Sequence, residues 1–119
     1  MTYDEFNRFC SKLPVTSTVV QWGGSHVWKV GGKVFAVGGW ADKAPAFTFK
    51  VSPLAFEILR EQPGLRPAPY LASRGMTWIQ QFSKPGLSDR ELKAYLRASF
   101  DLVAAGLSKK KRVVLGLLS

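Results

Sequence analysis

The residues in this chain whose types and spacing suit chemistry are lysines, arginines and tryptophans, and the chemistry is non-covalent: neutralising phosphates and stacking on bases. Lys29, Lys33, Lys43 and Lys50 lie beside Trp28, Trp40 and Phe35 in one stretch. Lys29 and Lys33 flank Gly31-Gly32, a turn whose tip could enter a nucleic-acid groove as a wing does. The same lysines would also serve as solvated edge charges that keep strands from pairing with another chain, with Trp28 and Phe35 in the core. The densest charge is Lys109-Lys110-Lys111-Arg112, with no acid downstream. Each phosphate held by such a run makes binding fall with salt, although a basic helix end also complements the helix dipole. Arg66, Tyr70, Arg74 and Trp78 gather around a proline-stiffened segment and could form an anion pocket, with arginine gripping a phosphate at two points. The competing reading has Tyr70 and Trp78 plugging a sheet edge and the arginines at the surface.

Catalytic constellations lack parts. The one histidine, His26, has neither a cysteine nor an acid near it in sequence, so a nucleophilic triad would need distant partners. Gly31-Gly32-Lys33 is followed by Val34 and fits no phosphate loop. Cys10 stands alone, which excludes an internal disulfide and a thiolate metal cage and suits buried filler. The expectation is a protein that is not an enzyme and uses no cofactor and no metal.

Bulk properties agree with an anionic partner. Seventeen Lys and Arg against eight Asp and Glu give a net charge of +9, and the pI is near 10.1. A surplus of this size on a small domain attracts polyphosphate and speeds encounter, though it also serves solubility. At 119 residues the chain has the length of a single domain, 1–119, ending in a basic segment, 108–119. No apolar stretch approaches the roughly 20 residues needed to span a bilayer. The opening Met1-Thr2-Tyr3-Asp4-Glu5 places acids where a secretory signal carries basic residues, which points to the cytoplasm and to no membrane partner.

The elements that must position these side chains follow from local signals. Thr2 and Glu5 have the spacing of a capping box, and Phe6, Phe9, Cys10 and Leu13 form one apolar face, predicting a helix over residues 3–12. Residues 18–22, 26–30, 33–37 and 46–50 read as strands of a meander punctuated by glycine pairs. Strict alternation in the last two sets Val34, Ala36, Phe47 and Phe49 on one face and Lys33, Phe35, Thr48 and Lys50 on the other. Ser52-Pro53 opens a short helix, residues 64–75 read as a loop, and 76–82 as a final strand. Ser88 and Glu91 repeat the capping box ahead of the longest helix, whose inner face carries Leu92, Tyr95, Leu96, Ser99, Leu102 and Val103 and which stops at Gly106. The order predicts an α+β domain with an antiparallel sheet of about five strands, helices on one face and the other face left to solvent or a partner.

Read as phrases, Gln21-Trp22-Gly23, Lys29-Val30-Gly31-Gly32-Lys33-Val34-Phe35-Ala36, Pro67-Ala68-Pro69-Tyr70-Leu71, Met76-Thr77-Trp78 and Ser99-Phe100-Asp101-Leu102-Val103 resemble successive signatures of the MmcQ/YjbR family, in order, over nearly the whole chain. The resemblance implies a frataxin/CyaY-like fold and a double-wing DNA-binding protein. Two positions depart from it: Ser108 stands where proline is expected and Phe100 where tyrosine is common. Iron handling of the frataxin kind needs clustered carboxylates, and only Asp4 and Glu5 adjoin in the first helix. The leading expectation is therefore non-catalytic DNA binding through phosphate contacts, with a protein-interaction or small-anion-binding module built on the 66–78 segment as the alternative.

Overall fold

The computed structural model describes residues 1–39, 45–69, 71 and 75–117. Trp40, Lys43, Tyr70 and Arg74, named above as candidates, lie outside the described residues. The elements are α1 (Tyr3–Ser11), β1 (Thr16–Gln21), β2 (Ser25–Val30), β3 (Lys33–Gly38), β4 (Phe47–Lys50), α2 (Pro53–Leu59), β5 (Leu65–Pro67), β6 (Trp78–Gln81), α3 (Asp89–Ala105) and α4 (Lys109–Val114). The strands form one antiparallel sheet in the order β1-β2-β3-β4-β6-β5, so the fold is the expected α+β with one strand more than about five.

Local chemistry starts the helices. Thr2 and Ser88 each accept from the backbone three residues on, while Glu5 and Glu91 reach back to the cap. The Glu91 carboxyl is held below its usual range by the bonds it accepts from the Ser88 backbone and hydroxyl. Helices α1, α2 and α3 bury Phe6, Cys10, Phe56, Leu59, Leu92, Leu96 and Phe100 against one side of the sheet, where Trp28, Phe47, Phe49 and Ile79 meet them. In α3 the inner face includes Phe100, which meets Phe35 edge-on. Leu102 is instead exposed, because one more residue of rotation carries it past the sheet.

Strict alternation fails in β3, for a structural reason. Trp28 opposes Ala36 but Lys29 opposes Val34, so Phe35 is the extra residue of a bulge. Phe35 is thereby fully buried in the core instead of lying outward with Lys33, and Val34 moves to the opposite face beside Lys29. Where β3 and β4 part beyond the Ala36 and Phe49 pair, the buried Ser99 hydroxyl fills the gap. It donates to Phe35 O at 2.6 Å and accepts from Lys50 N at 2.8 Å.

The face away from the helices is also not left open at its centre. Val27, Val37, Thr48 and Gln80, which lie on it by register, are all 0% exposed. Two elements go beyond the sequence reading. The three-residue β5 pairs at the sheet edge, where Pro67 costs no ladder bond. Helix α4 is capped by Ser108, which accepts from Lys111 N, so the residue departing from the expected proline does a cap's work.

Cys10 is completely buried, and burial pushes its thiol from an ordinary 9.0 up to about 12. The unfolded chain releases this proton above pH 9 and the folded chain holds it. The stability present below pH 9 is therefore lost as pH rises toward 12. Cys10→Ala should remove that part of the alkaline loss, read by comparing denaturant midpoints of the two proteins at pH 8 and pH 10.5. A native thiol reacting at once with a disulfide reagent at neutral pH would contradict the burial.

Candidate nucleic-acid interface

The two basic motifs, about 80 residues apart in sequence, meet in space. Gly31 and Gly32, with φ of 58° and 81°, make the two-residue turn between β2 and β3, a conformation glycine adopts without strain. A Cβ on Gly31 would stand 2.6 Å from Leu107 Cδ1, and one on Gly32 3.8 Å from Lys111 Nζ. Bare glycine backbone thus lets the end of α3 and the start of α4 dock on the hairpin tip. Lys33 at that tip and Lys109, Lys110 and Lys111 on α4 are exposed, while Lys29 and Lys50 are half-buried at the same end of the sheet.

Four of the eight acids lie at the other end. The Tyr3 ring lies 5.6 Å from that of His26, at a tilt, and His26 pairs with Gly38, so α1 begins at the end of the sheet remote from the Gly31-Gly32 turn. The N-terminal amine lies 3.0 Å from Asp89, placing the start of α3 there too. Asp4, Glu5, Asp89 and Glu91 therefore share that end. Near the cationic end, Asp101 is engaged with Arg97 at 3.4 Å. The exposed lysines of the cationic end therefore point a positive field into solvent there.

Several candidate residues are placed differently from the expectation. Trp28 is 5% exposed on the helix side of the sheet and donates from Nε1 to Asn7 Oδ1 at 2.9 Å, so it has no face to offer a base. Arg112 turns inward, its Nε buried without a hydrogen-bond partner among the described residues, beside Pro14, Phe100 and Leu117. The cationic run exposed by α4 is three lysines. Arg66 donates from Nε to Gln80 Oε1 at 2.9 Å and lies 4.2 Å over the Phe82 ring. It does not line the cavity that Trp78 lines, although the register sets the two on one face of the sheet, with Arg66 opposite Gln80 and Trp78 two residues before it. His26 has Asn7 Nδ2 3.4 Å from its Nδ1, and its ring neighbour is Tyr3.

Sequence reasoning missed a cavity of about 380 Å³ running from the sheet face away from the helices to the last turns of α3. Trp22, Val34, Val37, Met76, Trp78 and Leu102 line it, together with Lys33 and Lys50. Trp22 holds φ of 54°, a left-handed conformation that costs a bulky residue about 1–3 kcal/mol. The sequence signal was Gln21-Trp22-Gly23-Gly24, an aromatic residue inside a turn. Among the described residues no three of His, Cys, Asp and Glu come together as metal ligands. No described helix is long and apolar enough to cross a membrane.

Comparison with known proteins adds a lineage. A Deinococcus radiodurans protein with a DUF419 domain superposes with a TM-score of 0.83 at 25% identity, over 98% of this chain and 88% of the other. A Pseudomonas syringae protein shares the fold with a TM-score of 0.67 at 21% identity, over 86% of this chain and 98% of the other. No curated protein matches the chain. The family model described as YjbR matches residues 11–102, the whole sheet and most of α3 included, and the chain belongs to the YjbR family.

Proposed function

We propose that this protein is a non-catalytic nucleic-acid-binding module that holds the phosphate backbone of DNA at the cationic end of its sheet. The carrying observation is the packing of Leu107 against Gly31 with Lys111 Nζ reaching Gly32, which brings the lysine-bearing helix α4 to the turn that carries Lys33, with Lys29 and Lys50 at the same end of the sheet. Lysines that meet phosphates as point charges carry no sequence code, so affinity is expected to be similar across sequences. The Gly31-Gly32 hairpin is the part shaped to act as a wing, and the aromatic stacking expected of Trp28 does not enter, because that ring is buried.

The test is fluorescence anisotropy of the full chain with labelled duplex and single-stranded DNA, from low to physiological salt. The expected result is saturable binding whose log affinity falls linearly with log salt, with a slope of about −0.9 per phosphate contact on duplex. No binding at low salt would reject the reading.

A further inference from the structure

We infer that the groove between the parted ends of β3 and β4 and the last turns of α3 binds a small amphiphilic carboxylate, with its apolar body along Met76, Trp78 and Leu102 and its head group between Lys33 and Lys50. Three features point to this class of ligand. Trp22, Met76 and Leu102 are 46%, 40% and 39% exposed, and these large apolar side chains, supplied by three separate parts of the chain, converge on one concavity. Exposed apolar surface gathered in a concave site marks ligand binding far more than the same residues scattered singly.

The charge pattern selects the head group. Lys33 and Lys50 are the charged residues of the lining, and no Asp or Glu is among its described members. A cation with no lining acid to neutralise it favours an anion, and two on one rim favour a compact one. The apolar wall selects the body. The hydrogen-bonding side chains of the lining, Trp22, Trp78, Lys33 and Lys50, are donors only, so a nucleobase would leave its own donors unpaired there, whereas the alkyl or aryl body of a carboxylate loses nothing against Val34, Val37, Leu71, Met76, Leu102 and Val103. The volume, about 380 Å³, lies within the range of small-ligand pockets. This site does not rest on the nucleic-acid reading, since the groove needs neither α4 nor its lysines.

The test titrates the full chain with sodium decanoate, followed by calorimetry and tryptophan fluorescence, in parallel with 1-decanol and decyltrimethylammonium. Saturable binding of decanoate to one site is expected, with the alcohol at least about tenfold weaker and the cation weaker still. Lys33→Gln/Lys50→Gln should cost decanoate about tenfold or more and leave the alcohol unchanged; both positions reach solvent, so the fold is kept. Leu102→Trp, filling the groove from an exposed position, should weaken decanoate and decanol together. Equal binding of acid and alcohol, decanoate binding unchanged in the double lysine variant, or a response that does not saturate would each overturn the proposal.

Discussion

Replacing Lys109, Lys110 and Lys111 together by glutamine is expected to lower duplex DNA affinity about a hundredfold at low salt and to flatten the slope of log affinity against log salt by about 2 to 3. The argument is geometric as well as electrostatic. These side chains are exposed on a helix whose Lys111 reaches the Gly31-Gly32 turn, so Lys111 extends the surface of Lys33 while Lys109 and Lys110, each about 100° further around the helix, widen the positive field beside it. Removing them deletes contacts at a fixed place instead of merely lowering net charge. A matched variant makes that distinction measurable. Lys84→Gln/Arg90→Gln/Lys93→Gln also removes three exposed charges, with Arg90 and Lys93 on the first turns of α3, toward the acidic end. Compared at physiological salt, the first triple should lose affinity for all sequences alike and the second should stay within about threefold of the unaltered protein, because exposed charges beyond a Debye length, about 8 Å under those conditions, are screened. Equal loss in both variants would mean that net charge alone attracts DNA and that the proposed surface is not a site. Arg112 is left unchanged in this design because its inward placement removes it from that surface.

Ser99→Ala should be the costliest single-atom deletion in the fold, lowering unfolding free energy by about 2–4 kcal/mol in denaturant titration. Ser99 is wholly buried and its hydroxyl satisfies two backbone groups of different strands, Phe35 O and Lys50 N. Alanine leaves a buried carbonyl and a buried amide without partners, each at about 1–3 kcal/mol, where the ladder cannot replace them because β3 and β4 have parted. Against the 5–15 kcal/mol typical of a single domain, such a loss is large. Since the same hydroxyl holds Lys50 N, the variant should also weaken decanoate binding in the groove. A loss under about 0.5 kcal/mol would show that the strands close over the gap without the bridge.

Both predictions turn on arrangements of very different legibility in the sequence. The two capping boxes could be read directly, since Thr2 with Glu5 and Ser88 with Glu91 interact across three residues whatever the rest of the chain does. The Gly31-Gly32 turn is equally local, because only glycine takes two successive positive φ values without strain. Helix α4 was legible in part. Ser108 is a proper cap, but four consecutive cations masked the short helix and concealed that Arg112 faces inward while its neighbours face out. Strand β5 left almost no signal, being three residues with a proline, and it exists through its pairing with β6.

The family resemblance, the α+β class, the helix starts and the positive charge all follow from residue types and near neighbours, which is why they could be read without coordinates. The bulge at Phe35 could not, because it depends on which residue of β2 faces which of β3, and one extra residue reverses the faces of Val34 and Phe35. Nor could the approach of Lys111 and helix α4 to the hairpin tip that carries Lys33, or the groove assembled from Trp22, Lys50, Met76 and Leu102. Those juxtapositions are made by long-range packing, in which α3 carries the chain back along the sheet to the hairpin tip. Local interactions set what each segment can be, and the burial of Leu107 against Gly31 decides that the basic helix α4 ends up at the hairpin tip.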